Sequence, residues 1–236
     1  MLTTLLELRD PLGASAGTID AHGTGFDRVV AFLDGYRGGR AQCFGYPHAF
    51  PGTTSQGFLD DVDEARAGNL PLEAGILGRL YRDLVAFTRA HGLSDAARPV
   101  PRLEWVDVAG PGCAGVVARG TPAVGACPDG VIEVRAPGAA QLHAIGDLAL
   151  GAAVAQAWFA ASTAARAGDP APYCLVGAWL GGMHPGAGPD DRELVLSPGD
   201  LDEAVRWILS EAGPAWAERL SAFVDGVYGG VAACGP

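Results

Sequence analysis

Five cysteines, five histidines and scattered carboxylates are the groups in this 236-residue chain with the means to do chemistry. Cys43, Cys113, Cys127, Cys174 and Cys234 form no Cys-x-x-Cys pair and no metal-knuckle spacing, so the pattern gives no support to a zinc ribbon. Spacing alone leaves two readings open: disulfides of an exported protein, or buried thiols of a cytosolic one. The odd number leaves at least one cysteine without an intrachain partner. His143 and Asp147 stand i,i+4 on one expected helix, the separation of a metal-binding pair, although a histidine at a helix start is more simply a surface group. His22, His48, His91 and His184 fall in Gly/Pro-rich loops or at helix ends, and no two of them have ligand spacing. All 16 basic residues are Arg. Without lysine there is no Schiff-base, Walker or Ser–Lys chemistry. The acidic run Asp60–Glu64 reads as a solvated helix face, and Trp158, Phe159, Trp179, Trp207 and Phe223 as core rather than a ligand cage.

These groups sit in a chain with enough apolar residues for a real core: 49% hydrophobic and 18% charged. Acidic residues outnumber basic ones 27 to 16, for a net charge of -11. A nucleic-acid binder needs the opposite balance, and so does a protein held on an anionic membrane surface. No apolar run is convincing as a membrane span; Leu148–Ala165 carries Gln156, Ser162 and Thr163 and reads as a buried helix. The first ten residues lack a cationic leader and are not expected to be a signal peptide.

Helices are expected at Leu2–Leu8, Phe26–Arg37, Gln56–Arg66 and from Asn69 to about Ala90, the last with Pro71 in its first turn. Ala96–Pro101 reads as a linker between residues 1–95 and a unit at 102–236. That unit opens with short strands at Leu103–Val108, Gly115–Ala118 and Val131–Arg135, expected to form a small antiparallel sheet. One long helix over Gln141–Arg166, apolar nearly all round, is expected to be central and buried. Helices at Pro172–Met183, Ser197–Ser210 and from Pro214 to Gly229 complete a sheet with four helices, an α+β and mostly helical fold. Ser197, Pro198 and Asp200 supply cap, first-turn proline and dipole-matched acid for the third of these.

The chain also repeats itself. Residues 26–43 match residues 217–234 at nine of 18 positions without a gap, both segments ending Gly-Gly-x-x-x-Cys. An offset of 191 is too long for a solenoid and fits two copies of one domain, with the first copy represented by its tail. Cys43 is then the orphan, its partner lying in a segment upstream.

Five blocks in order resemble the neutral zinc metallopeptidases, a zincin-like family common in actinobacteria. They are Ala126-Cys-Pro-Asp-Gly-Val-Ile-Glu-Val134, Ile145-Gly-Asp-Leu-Ala-Leu150, Tyr173-Cys-Leu-Val-Gly-Ala-Trp179, Leu196-Ser-Pro-Gly-Asp-Leu-Asp-Glu-Ala204 and the segment Arg219 to Cys234. The resemblance covers most of residues 105–234 and makes residues 1–95 look like the C-terminal part of a preceding copy. It implies a zincin-like domain and pairs Cys113 with Cys127 and Cys174 with Cys234, leaving Cys43 alone. It also implies zinc, held by a His-Glu-x-x-His helix whose glutamate is the general base. Here that motif falls on Gln156-Ala157-Trp158-Phe159-Ala160, with the third-ligand position near Asp169 and the following acid near Tyr173. Gln156 is a poor zinc ligand, and Ala157 and Ala160 have no donor atom. Zinc is therefore expected to be absent.

The expectation that follows is a catalytically inactive peptidase-like protein, a structural or binding module packing on an active peptidase-like domain or another protein. Two alternatives remain: an active zinc metallopeptidase whose ligands lie elsewhere, and a cleft lined by Ala157, Ala160 and nearby aromatics that binds a peptide or small ligand without cutting it. The family resemblance points to an exported or envelope-associated protein, in tension with the missing leader.

Overall fold

The computed structural model describes residues 2–11, 23–45, 70–94, 99–107, 113, 115–118, 121–166, 168–183, 194–211 and 213–235. The expected helix at 56–66, the acidic run at 60–64, His22, His48, His184 and residues 96–98 of the expected linker lie outside them. The described helices are α1 (Leu2–Glu7), α2 (Gly25–Gly45), α3 (Ala74–Ala90), α4 (Ala136–His143), α5 (Asp147–Thr163), α6 (Ala171–Gly181), α7 (Asp200–Glu211) and α8 (Trp216–Gly229). Four strands, β1 (Arg102–Val106), β2 (Gly115–Ala118), β3 (Thr121–Ala126) and β4 (Val131–Arg135), form one sheet in the order β1-β4-β3-β2.

The fold is α+β and mostly helical, as expected, but the sheet is mixed. β3 pairs antiparallel with β2 and β4, while β1 lies parallel to β4 with Leu103 opposite Ile132. The β2–β3 hairpin separates β1 from the inner strand β4 in sequence, which gives the parallel pair the long connection it needs. The sequence reading passed over β3 because Pro122 and Gly125 break its apolar alternation. A disulfide joins Cys113 and Cys127 where the hairpin meets β4, and a second joins Cys174 in α6 to Cys234 in the turn after α8. These are the two pairs the resemblance implied. The side chain of Cys43 lies outside the described ones.

The long helix expected over 141–166 is two helices. The chain breaks at Ala144–Gly146, because the Glu203 carboxyl crosses there. A Cβ on Gly146 would sit 1.8 Å from that carboxyl carbon, and the Leu148 N–H donates to Glu203 Oε2 at 3.0 Å. Among its described residues the 102–236 segment thus holds five α-helices rather than four. Likewise α3 starts at Ala74, with Leu70–Glu73 ahead of it, so Pro71 is not in its first turn.

α5 is buried over nearly its whole length, its small Ala and Gly side chains admitting neighbours on every side. A single hydrophobic cluster runs from Leu6, Phe26 and Leu33 through Ile76, Leu80 and Leu84 to Trp158, Trp179, Trp207 and Phe223. Two indole N–H groups secure α3 to this cluster. Trp158 donates to Thr88 Oγ1 at 2.9 Å and Trp179 to Asp83 Oδ1 at 2.7 Å, both out of solvent. Buried polar groups need such partners to avoid a desolvation cost of about 1–3 kcal/mol. Asp202 does the same for the start of the chain. It accepts from the Phe26 N–H and from Arg9 Nη1, each at 2.7 Å, binding α2 and the residues after α1 onto α7.

The repeat seen in the sequence is also a repeat in the backbone. Gly39 interrupts α2 at φ 60°, ψ -157°, and Gly230 ends α8 at φ 61°, ψ -162°. The two are 191 positions apart, the offset of the sequence match. This conformation is open essentially to glycine alone, so both segments need glycine at the second position of the Gly-Gly pair for the same reason.

Candidate functional site

The motif positions implied by the resemblance lie in the C-terminal half of α5. Ala157 is buried, and Gln156 and Ala160 are half-buried. Asp169, at the third-ligand position, is engaged locally: its Oδ1 accepts the Ala171 N–H at 2.9 Å at the start of α6. Tyr173 lies face to face with Trp207, ring centroids 5.7 Å apart, under the Arg219 guanidinium at 5.2 Å. Burial pushes the Tyr173 phenol up, which keeps it neutral. Trp158, Phe159, Trp179, Trp207 and Phe223 are all fully buried core residues.

Among the described residues, His, Cys, Asp and Glu side chains converge in threes at two places, and neither includes positions 156–160 or 169. One is Cys113, Cys127 and Glu133, where the sulfurs are bonded to each other and no thiolate is on offer. The other is Asp147, Asp200 and Glu203, whose carboxylate oxygens lie within 4.8 Å of one another.

This second cluster is built by two helix starts. Asp147 opens α5 and Asp200 opens α7; each follows a glycine, and Glu203 stands one turn into α7. Positive helix ends favour carboxylates there. Each acid is aimed by one backbone N–H: Leu70 to Asp147 at 2.8 Å, Ser197 to Asp200 at 2.6 Å, Leu148 to Glu203 at 3.0 Å. The Ser197–Asp200 bond closes the turn ahead of α7, where Gly199 takes a positive φ of 107° and ends the non-helical approach. His143 and Asp147, the i,i+4 pair, do act together, but on the protein itself. His143 Nε2 meets the Leu70 carbonyl at 2.7 Å while Asp147 holds the Leu70 N–H.

The charge balance of the cluster is unusual. No guanidinium pairs with any of its three acids among the described residues. Arg9, whose field lowers Glu203, is bonded to Asp202. Burial first, and then repulsion from Asp147 and Glu203, raises the Asp200 carboxyl to about 8. Burial and the Asp147 charge raise Glu203 to about 7. Free carboxyls titrate near 4, so between about pH 4 and pH 8 the folded chain retains protons that the unfolded chain has lost. In metal-free protein, folding stability should therefore fall as pH rises through that window, by a few kcal/mol in total. Denaturant melts at pH 5 and pH 8 check this; a midpoint that is unchanged or higher at pH 8 would contradict it.

Sequence reasoning named Asp147 as a possible ligand and Asp200 only as a helix-start acid, and it did not single out Glu203. The available signal was the pair of Gly-Asp dipeptides at helix starts, Gly146-Asp147 and Gly199-Asp200. It also passed over Gly13-Ala-Ser-Ala-Gly17, which spells a nucleophile-elbow pattern. That segment lies outside the described residues. No family model, curated protein or solved structure matches the chain.

Proposed function

We propose that the chain is a peptidase-like scaffold without peptidase chemistry, acting as a structural or binding module. The observation that carries this is the state of the α5 wall. The two expected imidazole positions hold an amide and a methyl, the base position holds a methyl, and Asp169 is engaged at the start of α6. Nothing there lowers the pKa of a bound water or accepts its proton, which is the minimum a zinc hydrolase needs. The carboxylate cluster does not replace the missing site. It opens α5 nine residues before Gln156, about 13 Å along the axis.

The binding side of the proposal rests on the repeat. In the second copy, α8 and its Gly230 turn grip α6, with Cys234 bonded to Cys174. In the first copy the corresponding end of α2 leaves Tyr36 62% and Phe44 76% exposed. A helix of α6 type, from an active peptidase-like domain or another copy, fits the chemistry of that end. Two disulfides favour an oxidising compartment as the place of work.

The test is hydrolysis of an unstructured protein substrate by the full chain supplied with equimolar Zn²⁺. Turnover no faster than the buffer blank, with and without chelator, is expected. Cleavage that needs zinc and stops with chelator would instead establish the alternative, an active metallopeptidase with other ligands.

A further inference from the structure

The cluster at the head of α5 has a second property, independent of its being acidic. Asp147 is only 7% exposed, yet its Oδ1 has no hydrogen-bond partner. The other oxygen is already committed to the Leu70 N–H. Beside it lies a cavity of about 20 Å³, lined by Asp147 and Asp200 together with Leu70, Leu148, Met183 and Leu196. A space of that size holds one water-sized particle. An orphaned carboxylate oxygen in a buried site costs free energy unless something sits against it.

Three features decide what that something is. The donors are all carboxylate oxygens, the set preferred by Mg²⁺ and Ca²⁺ rather than zinc. Their mutual separations, within 4.8 Å, are those of oxygens placed around one centre at the roughly 2.3–2.6 Å of a calcium bond. Formal charge is in excess, since the three acids face one another without a paired cation among the described residues. A water molecule would satisfy Oδ1 but leave the charge of the acids to be neutralised by protons. A divalent cation satisfies both.

We propose that Asp147, Asp200 and Glu203 form a structural binding site for a hard divalent cation of the calcium–magnesium class. The ion would join the starts of α5 and α7 and, through the Leu70 backbone, the segment leading into α3. The site is separate from the α5 wall and does not rest on the absence of peptidase activity.

The experiment uses the full chain, treated with chelator and exchanged into metal-free buffer near pH 7.5. Calorimetric titration with Ca²⁺, and separately with Mg²⁺, should show one saturable site per chain for at least one of them. That ion at about a hundred times its Kd should raise the thermal midpoint by about 5 °C or more. Asp147→Asn and, as a variant at a less buried position, Glu203→Gln should each weaken binding at least tenfold. Asp225→Asn, at an exposed acid on α8, should not. No saturable binding of either ion to the unaltered chain would overturn the proposal, leaving protons to neutralise the cluster. Binding undiminished in both cluster variants would overturn it too, by placing the ion elsewhere. If Asp147→Asn fails to fold, Glu203→Gln alone decides.

Discussion

Replacing Gly226 by alanine should remove about 3 kcal/mol or more of folding stability. Gly226 lies where α8 crosses α6. A Cβ there would stand 1.9 Å from the Cys174 carbonyl oxygen and 2.8 Å from the Ala178 nitrogen. Both are backbone atoms of α6, so no rotamer change relieves the clash; the helices must separate. The facing glycine on α6, Gly177, is as tightly placed, its Cβ position 2.0 Å from the Phe223 carbonyl oxygen. Glycine costs a helix roughly 0.5–1 kcal/mol relative to alanine, and here that cost is outweighed by the close crossing. Gly78 in α3 gives the contrast. Its nearest neighbour is the Arg82 side-chain end at 3.5 Å, so Gly78→Ala should raise stability by about 0.5–1 kcal/mol. Thermal and denaturant melts of the two variants should move in opposite directions. A Gly226→Ala protein that melts with the unaltered chain would show that the crossing is not close.

Removing the Cys174–Cys234 bond should cost about 4 kcal/mol. The bond closes a loop of sequence separation 60, and chain-entropy arguments assign such a closure roughly that value. Cys113–Cys127 spans only 14 residues and should contribute about 3 kcal/mol. The larger effect has a second source. Cys234 sits in the turn after Gly230, so the bond also pins the end of α8 onto α6. Cys174→Ala with Cys234→Ala, against Cys113→Ala with Cys127→Ala, separates the two in denaturant melts under oxidising conditions. An equal or smaller loss for the 174–234 pair would contradict the ranking.

Much of the fold was legible because local signals and burial agree. The stripe Leu201, Ala204, Val205 and Ile208 is the buried face of α7, although the helix starts at Asp200, after the positive φ of Gly199, and not at Pro198 with Ser197 as its cap. What failed was tertiary in origin. The apolar pattern resumes directly after Gly146-Asp147, and the break there is explained only by the carboxyl of Glu203, 57 positions on from Gly146. β3 carries a proline and a glycine and is recognisable as a strand only from its neighbours on both edges. The parallel pairing of β1 with β4 has no local signature at all.

The site divides the same way. The lack of ligand atoms at the motif positions the resemblance implies, Ala157 and Ala160, was visible in the residue types themselves, because alanine has no donor wherever it is placed. The carboxylate cluster was not visible as a unit. Its members come from two of the blocks that carry the family resemblance, Gly146-Asp147 and Gly199-Asp200-Leu201-Asp202-Glu203. Their neighbour in the run, Asp202, does quite different work, holding Phe26 and Arg9. Spacing along the chain cannot tell which acid of such a run turns inward to the cavity and which clamps a helix.

Titration of the full chain with Co²⁺, followed by visible absorption, tests most directly whether the α5 wall can hold a catalytic metal. Cobalt takes the four-coordinate geometry of zinc when imidazole and carboxylate donors impose it, and then absorbs intensely. Bound by oxygen donors in six-coordinate geometry it absorbs weakly. A wall of Gln156, Ala157 and Ala160 should give no intense bands, with weak ones at most from the carboxylate cluster. Intense bands that saturate at one Co²⁺ per chain and survive Asp147→Asn would contradict the proposal that the peptidase site is gone.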